Sequence, residues 1–430
     1  MALHSKNVRI GLLGCGNVGA ALVQLVGERA DAIEARTGLR LEIAAVAVRN
    51  VSRERAVALP DGVLTRDAHA VVADPSIDLV VEVMGGIEPA RELITAALAN
   101  GKPVVTANKE LLANVGVELF NAADTAGVDL LFEAAVAGGI PLVRALRESL
   151  RGEPITRVMG IVNGTTNFIL TKMTEEGAAY AEVLAEAQAL GYAERDPTAD
   201  VEGFDAGAKA AIIAMIAFGS KVVAGDVYHE GISRITPHDI AVARRLGYVV
   251  KLLGIAEQVE GSGEVAVRVH PAMVPVTHPL ASVRESYNAV FIEGRAVGSL
   301  MFYGRGAGGM PTASAVLGDV IDAAVNLAKG THGSLGAFSR STMLPIDETS
   351  SQYLLSLDVA DRPGVLHAVT GVFARHDVSI RAAEQDGNGP DARLVFVTHV
   401  AKESAVQATV RELRELDVVR NIGGLLRVIG

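Results

Sequence analysis

A short apolar run, Val8-Arg9-Ile10-Gly11-Leu12-Leu13, passes without a break into Gly14-Cys15-Gly16-Asn17-Val18-Gly19, and Ala20 to Val26 then reads as a helix. This is G-x-G-x-x-G in the setting that gives it meaning, a buried strand before it and a helix after it. Gly14 permits the tight turn, Gly16 lets the backbone approach a pyrophosphate, and Gly19 packs the helix on the strand. Helix N–H groups at this end, beside Asn17 and Val18, can receive phosphate charge. The expected fold class is therefore α/β, opening with a Rossmann-type nucleotide-binding domain.

The following pattern agrees. Leu41 to Val48, Ile77 to Val83 and Pro103 to Thr106 read as buried strands, with Pro89 to Ala99 a helix between them. In such sheets ligands sit beyond the carboxyl ends of the strands, where Gly85, Thr106 and Lys109 fall. The second strand ends at Arg49, with Arg53 just beyond, where an acidic residue would suit NADH. Arginines there suit a 2′-phosphate and point to NADPH, with NADH the alternative if both side chains are merely solvated.

The whole chain sets further bounds. Its 430 residues suggest about two to four domains. A net charge of −11 carries no footprint for nucleic acid. No uninterrupted apolar run reaches membrane-spanning length, and Met1 to Arg9 lack a signal-peptide pattern. The single cysteine, Cys15, excludes an internal disulfide and suits a cytoplasmic protein; within the glycine turn it reads as a small packing residue. The ten histidines lack zinc-ligand spacing.

The middle of the chain reads as α+β. Asp129 to Glu133 is expected as a strand. A turn of small residues follows, Ala134 to Pro141, and then a helix at Leu142 to Leu150. Ile155 to Val162 is another strand, ending in the polar cluster Asn163-Gly164-Thr165-Thr166-Asn167, which suits a helix cap or a substrate-facing edge. Val265 to Val269 and Ala289 to Val297 suggest more strands. The glycine-rich stretch Tyr303 to Thr312, containing Gly306, leads into a helix at Ala313 to Leu327. It reads equally as a second backbone cradle or as a hinge.

Between these lies a loop crowded with carboxylates, Glu194 to Gly203, which runs into an Ala-rich apolar helix at Ala206 to Phe218. Asp205 and Lys209 stand one helical turn apart at its start. A lysine held near carboxylates at the mouth of an apolar helix suits proton transfer, because burial and neighbours move its pKa. A solvated i,i+4 pair fits the same spacing equally well.

With these residues quoted, the chain resembles homoserine dehydrogenase over essentially its full length. The carriers are Gly11 to Gly19, Val104-Val105-Thr106-Ala107-Asn108-Lys109, Gly160 to Asn167, and Leu190 through Lys209. The resemblance implies reduction of L-aspartate 4-semialdehyde to L-homoserine by NADPH, a step in threonine, methionine and isoleucine biosynthesis. It implies Lys209 as proton donor and acceptor, and Lys109 as a second catalytic or cofactor-contacting lysine. Glu194, Asp205, Asp200 and Thr165 would surround the substrate's ammonium and neighbouring polar atoms. Glu133, Val136, Gly138 and Ile140 match a monovalent-cation site, for sodium or potassium, and Gly306 a loop that folds back onto the cofactor. No aspartate-kinase region is present, which implies the monofunctional form.

Thr331 to Ser351, rich in Gly, Ser and Thr, reads as a linker. Beyond it the order βαββαβ is ferredoxin-like: strands at Tyr353 to Val359, Val378 to Ala383, Arg393 to Val400 and Leu425 to Val428, and helices at Val365 to Arg375 and Ser404 to Leu416. With Asp361-Arg362-Pro363-Gly364-Val365-Leu366 it resembles an ACT regulatory domain. That implies an amino-acid effector, L-threonine, near Asp361, Pro363, Gly364 and Val365, and side-by-side pairing in a homodimer or homotetramer. The expected division is a dinucleotide-binding domain at 1–135 with 305–330 returning to it, a catalytic and dimerisation domain at 136–304, a linker at 331–351 and the ACT module at 352–430. Two other readings stay open: a different semialdehyde reductase, and a sensor that binds nucleotide and amino acid without catalysis.

Overall fold

The computed structural model describes residues 6–387, 389 and 392–429. The approach of residues 1–5 to the first strand and most of the Gly/Asn/Pro turn (Asn388, Pro390, Asp391) lie outside the described residues. The chain forms two compact units: residues 1–158, 208–226 and 288–341, and residues 159–207, 227–287 and 342–430.

The first unit is built on β1 (Lys6–Leu13), β2 (Leu39–Ala47), β3 (Leu64–Thr65), β4 (Leu79–Glu82), β5 (Val104–Thr106) and β6 (Leu130–Leu131). They lie in the order β3-β2-β1-β4-β5-β6, all parallel. A parallel sheet is covered on both faces, so its central strands run mainly apolar rather than alternating; β4 is buried at all four positions. The helices Asn17–Thr37 and Gly309–Lys329 pack on each other. Leu22, Val316 and Val320 share a core with Ile10 and Leu12 of β1. The order reverses between β1 and β4, and a doubly wound sheet opens its ligand crevice at such a reversal.

The structure departs from expectation after β6. The strand expected through Glu133 stops at Leu131 and turns into a 3₁₀ segment, Glu133–Ala135. The helix expected at 142–150 is present, but it widens: Leu146 donates back to Leu142 (2.9 Å) in α fashion, and Ala145–Ser149 is a π-helix. Glu133 caps its start by accepting the N–H groups of Val143 and Arg144, both at 2.8 Å, and its end closes five residues back, Leu150 to Ala145.

The remaining strands are β7 (Ile155–Ile161), β8 (Tyr228–His229), β9 (Tyr248–Gln258), β10 (Val265–Pro275), β11 (Tyr287–Gly294), β12 (Gly298–Arg305), β13 (Ser350–Val359), β14 (Ile380–Asp386), β15 (Arg393–Thr398), β16 (Ala401–Lys402) and β17 (Val419–Val428). Apart from Tyr287, β11 and β12 belong to the first unit. The second unit, which takes β7 from Met159 onward, carries the order β7-β9-β10-β17-β13-β15-β14, with β8 beside β10 and β16 beside β13. Strand β9 has no counterpart in the sequence reading, since it is buried on both faces and shows no alternation.

Strands β13, β14, β15 and β17, with the helices Val365–Arg375 and Glu403–Leu413, realise βαββαβ. Leu355, Val369, Phe373, Phe396 and Val410 form the core of this module. The Gly/Ser/Thr-rich segment before it is anchored at several points. Gly333 donates to Asp129 (2.7 Å), Phe338 stacks on Phe120 (5.5 Å), Ser339 bridges to Ser220, and Met343 bridges to Val265. Among the described residues no helix is long and apolar enough to cross a membrane.

Candidate active site

The glycine turn has the geometry a dinucleotide needs. Gly14 sits at φ +99°, and a Cβ there would lie 2.9 Å from the Val83 carbonyl. A Cβ on Gly19 would come within 2.5 Å of the Gly14 carbonyl, so only glycine lets the helix approach this closely. Gly16 has no atom within 4 Å of where its Cβ would be, which leaves backbone open to a ligand. Asn17 and Val18 begin the 21-residue helix, whose first backward bond is Ala20 to Gly16 at 2.9 Å. The residues present thus fit a dinucleotide. Burial pushes the Cys15 thiol up, and neighbouring Arg55 works the other way. Arg49 and Arg53 are exposed beyond β2. Arg55, which the sequence reading passed over, folds back onto the carbonyls of Arg53 (2.6 Å) and Asn50 (2.7 Å) and braces that loop.

Glu82, the buried last residue of β4, is a second residue the sequence reading missed. Its carboxylate accepts the Thr106 hydroxyl (2.6 Å) and the N–H groups of Met84 (2.7 Å) and Gly85 (3.1 Å). It therefore fixes the ends of β4 and β5 side by side, and the Thr106 hydroxyl is committed to it. Asn108 caps the helix Lys109–Ala126 and donates to the Gly86 carbonyl (2.6 Å), which places Lys109 at the exposed start of that helix.

The turn after Glu133 contains two successive left-handed residues, Ala137 (φ +55°) and Gly138 (φ +49°). Gly139 donates to the Arg305 carbonyl at 3.1 Å, and a side chain on Gly138 would strike the Gly306 carbonyl. Val136, Gly138, Ile140 and Gly306 therefore lie in one pair of abutting loops. No group of three or more His, Cys, Asp or Glu suited to a metal occurs among the described residues. What this turn can present to a cation is backbone carbonyl.

Behind the turn lies a polar cavity of about 250 Å³ lined by Glu133, Arg144, Arg147, Asp319 and Asp322. Asp319 accepts the Glu133 N–H (2.7 Å) and Arg144 (3.2 Å), and Arg144 also reaches Asp322 (2.6 Å). Burial pushes Asp319 up to about 7, and nearby Glu133 adds to the rise. The folded state thus keeps a proton that the unfolded chain, with Asp near about 3.9, has released. This carboxyl's contribution to stability is complete below the unfolded value and is lost as pH climbs through about 7. Asp319→Asn should flatten the fall in stability between acidic and mildly alkaline pH. Denaturant midpoints across that range check this, and an unchanged slope would exclude Asp319 as its source.

The carboxylate stretch holds a short helix, Thr198–Val201, where irregular backbone was expected. It is organised by Asn163, part of the polar cluster that suited a helix cap or a substrate-facing edge. Its Oδ1 accepts the Thr166 N–H (2.9 Å), capping the helix Gly164–Glu176. Its Nδ2 donates to both Asp200 (2.7 Å) and Asp205 (2.9 Å). Thr165 donates to the Tyr192 carbonyl (2.6 Å) and stands 3.4 Å from Asp200. Two carboxylates sharing one amide concentrate negative charge, which suits a cationic ligand group. Glu194 is exposed in the same loop. Asp205 lies in the first turn of the helix Phe204–Phe218, with Lys209 one turn on, and both are buried. In the C-terminal module, Asp361 accepts the Gly389 N–H (2.8 Å), and Gly364 (φ +90°) opens the helix Val365–Arg375 directly after Pro363.

A doubly wound parallel sheet with this glycine turn, followed by a carboxylate loop feeding a buried lysine, defines a nicotinamide-nucleotide-dependent oxidoreductase. Comparison with known proteins makes it specific. The family model for homoserine dehydrogenase matches residues 141–321, that for the homoserine dehydrogenase NAD-binding domain matches 14–133, and that for the ACT domain matches 353–418. The homoserine dehydrogenase of Corynebacterium glutamicum is 51% identical over 427 residues, covering 98% of this chain and 95% of that protein. The crystal structure of a homoserine dehydrogenase from Thiobacillus denitrificans superposes with a TM-score of 0.93 at 42% identity, covering 99% of this chain and 98% of that one. A hyperthermophilic archaeal homoserine dehydrogenase in complex with NADPH superposes with a TM-score of 0.62 at 28% identity, covering 74% of this chain and 98% of its own. The chain belongs to the homoserine dehydrogenase family and is an oxidoreductase acting on a CH–OH group.

Proposed function

We propose that this chain reduces L-aspartate 4-semialdehyde to L-homoserine, with NADPH as the preferred cofactor and NADH as the alternative. The observation that carries the reading is Asn163 gathering Asp200 and Asp205 at the start of the helix that bears Lys209. Asp200, Asp205, Glu194 and Thr165 hold the substrate's ammonium and adjoining polar atoms. A reduced nicotinamide, when bound, supplies the hydride to the aldehyde carbon. Lys209 gives a proton to the substrate oxygen as charge develops on it, and takes one back in the reverse direction. Lys109, at its helix start, contacts substrate or cofactor.

Gly14, Gly16, Asn17, Val18 and Gly19 receive the pyrophosphate. Arg49 and Arg53 meet the 2′-phosphate, while Gly85, Thr106 and Gly306 border the nicotinamide end. NADPH in the archaeal relative supports this preference. Glu133, Val136, Gly138 and Ile140 hold a sodium or potassium ion through carbonyls that the left-handed turn reorients. The module at 352–430 takes L-threonine near Asp361, Pro363, Gly364 and Val365, and pairs with a second copy in a homodimer or homotetramer. The return of 305–330 to the dinucleotide-binding domain at 1–135 is supported by the helix Gly309–Lys329 packing on Asn17–Thr37, while 136–304 is read as the catalytic and dimerisation domain and 331–351 as the linker. The single cysteine supports a cytoplasmic setting.

The test is absorbance at the nicotinamide band with L-homoserine and either NADP⁺ or NAD⁺, with and without L-threonine. Faster reduction of NADP⁺, suppressed by threonine, is expected. Turnover indifferent to threonine would remove the effector, and no turnover with either nucleotide in folded protein would overturn the reaction.

A further inference from the structure

Strand β17 joins the C-terminal module to the rest of its unit: it runs antiparallel to β13 and parallel to β10, pairing Ala272 with Arg427 and Met273 with Val428. At this seam Arg427 is only 1% exposed. Its Nε and Nη2 donate to the two carboxylate oxygens of Glu403 at 2.8 and 2.7 Å. Glu403 also accepts the Tyr353 hydroxyl at 2.9 Å. The remaining donor, Nη1, reaches Glu230 at 2.7 Å, and the guanidinium lies 5.5 Å from the centre of the Tyr228 ring. Burial opposes the charge on Arg427, but Glu403 and Glu230 more than reverse that and hold it protonated. A planar, always-charged fork can hold Glu403 through two parallel bonds and still reach Glu230, a fixed geometry that an ammonium does not impose.

The far end of this bridge is fitted to the carboxylate loop. Glu230 donates its N–H to the Val269 carbonyl (2.8 Å), and Ile232 donates to the Val201 carbonyl (2.8 Å). Gly231 lies so close to Val201 and Glu202 that no Cβ could be added. Gly203, at φ +85°, rests on the Val269 side chain, and the His229 ring abuts Gly207. The backbone between Asp200 and Asp205 and just after Asp205 is therefore moulded against the segment 228–232 and its partner strand, and the acidic side chain of that segment is held from the C-terminal module.

We propose that Arg427 is a positioning residue for the loop Asp200–Asp205, acting through Glu230 and Gly231. The proposal rests on the reading of Asp200 and Asp205 as substrate ligands. Contiguous networks of this kind shift a distant site by about 0.5–2 kcal/mol, which corresponds to about 2- to 30-fold in binding. In the full-length protein, Glu230→Gln keeps the shape and removes the charge at a partly exposed position. It should raise KM for L-homoserine by about 3- to 10-fold while leaving KM for NADP⁺ and the melting temperature unchanged. Arg427→Lys, which keeps a charge but not the fork, should move the same KM in the same direction. Asp205→Asn is the reference. If it raises the homoserine KM and Glu230→Gln does not, the positioning role is overturned while the substrate reading stands. If Asp205→Asn leaves that KM unchanged, the substrate reading falls and the proposal with it. A Glu230→Gln variant that instead raises both KM values and melts earlier would reduce Arg427 to a purely structural role.

Discussion

Lys209→Ala should lose about 10²- to 10⁴-fold in turnover while still binding NADPH, because a positioned general acid contributes about that much. The side chain emerges from the helix Phe204–Phe218 and is 9% exposed. Its helix carries no other titratable side chain beyond Asp205, so no second proton donor stands on that helix to replace the ammonium. Nucleotide binding should survive, since the cradle rests on contacts among Gly14, Gly19 and Val83, none of which Lys209 supplies. Lys209→Arg should not restore activity: guanidinium keeps its proton throughout the accessible pH range, and the reaction needs a group that can release one. Single-turnover rates and fluorescence titration with NADPH check this on the same preparations. Turnover within a few-fold of the unchanged enzyme would move the proton-transfer role to another residue, with Lys109 the first to test.

What the sequence made legible was local chemistry. The glycine turn, the parallel α/β pattern and βαββαβ are written in runs of a few residues, and the structure contains them. Pairings across long separations were not legible. Asn163 reads as a helix cap, and it is one, but its other amide edge meets Asp200 and Asp205, 37 and 42 residues away. Glu82 ends an apolar strand, Leu79-Val80-Val81-Glu82; that isolated acid was the available signal, and only the fold brings Thr106 to it. The helix expected at 142–150 is there, but its cap was not legible: the buried Glu133 carboxylate, ten residues upstream, accepts the first N–H groups, which have no partner inside the helix. Strand β9 escaped because burial on both faces erases alternation.

Arg427→Met should cost about 3–5 kcal/mol of stability, the usual result of removing one partner from a buried ion pair. Glu403, itself 1% exposed, would keep the Tyr353 hydroxyl and Gln407 but lose both guanidinium bonds. Glu230 is about one-third exposed and can recover water, so it should contribute little to the penalty. Burial works to raise Glu403, but the bonds from Arg427 hold it below its ordinary value. A carboxyl depressed in this way adds stability above its unfolded pKa, near about 4.3, and that stability is lost as pH falls through the folded value. Without Arg427 the same carboxyl would be pushed up by burial and would ionise only at a cost. The deficit of the variant should therefore be largest near neutral pH and should shrink as acid protonates Glu403. Arg427→Met combined with Glu403→Gln should recover most of the loss, because a neutral amide needs no cation and can still meet Tyr353. Denaturation followed at several pH values distinguishes the causes. A deficit independent of pH and untouched by Glu403→Gln would mean that Arg427 holds the seam through its packed stem and not through its charge.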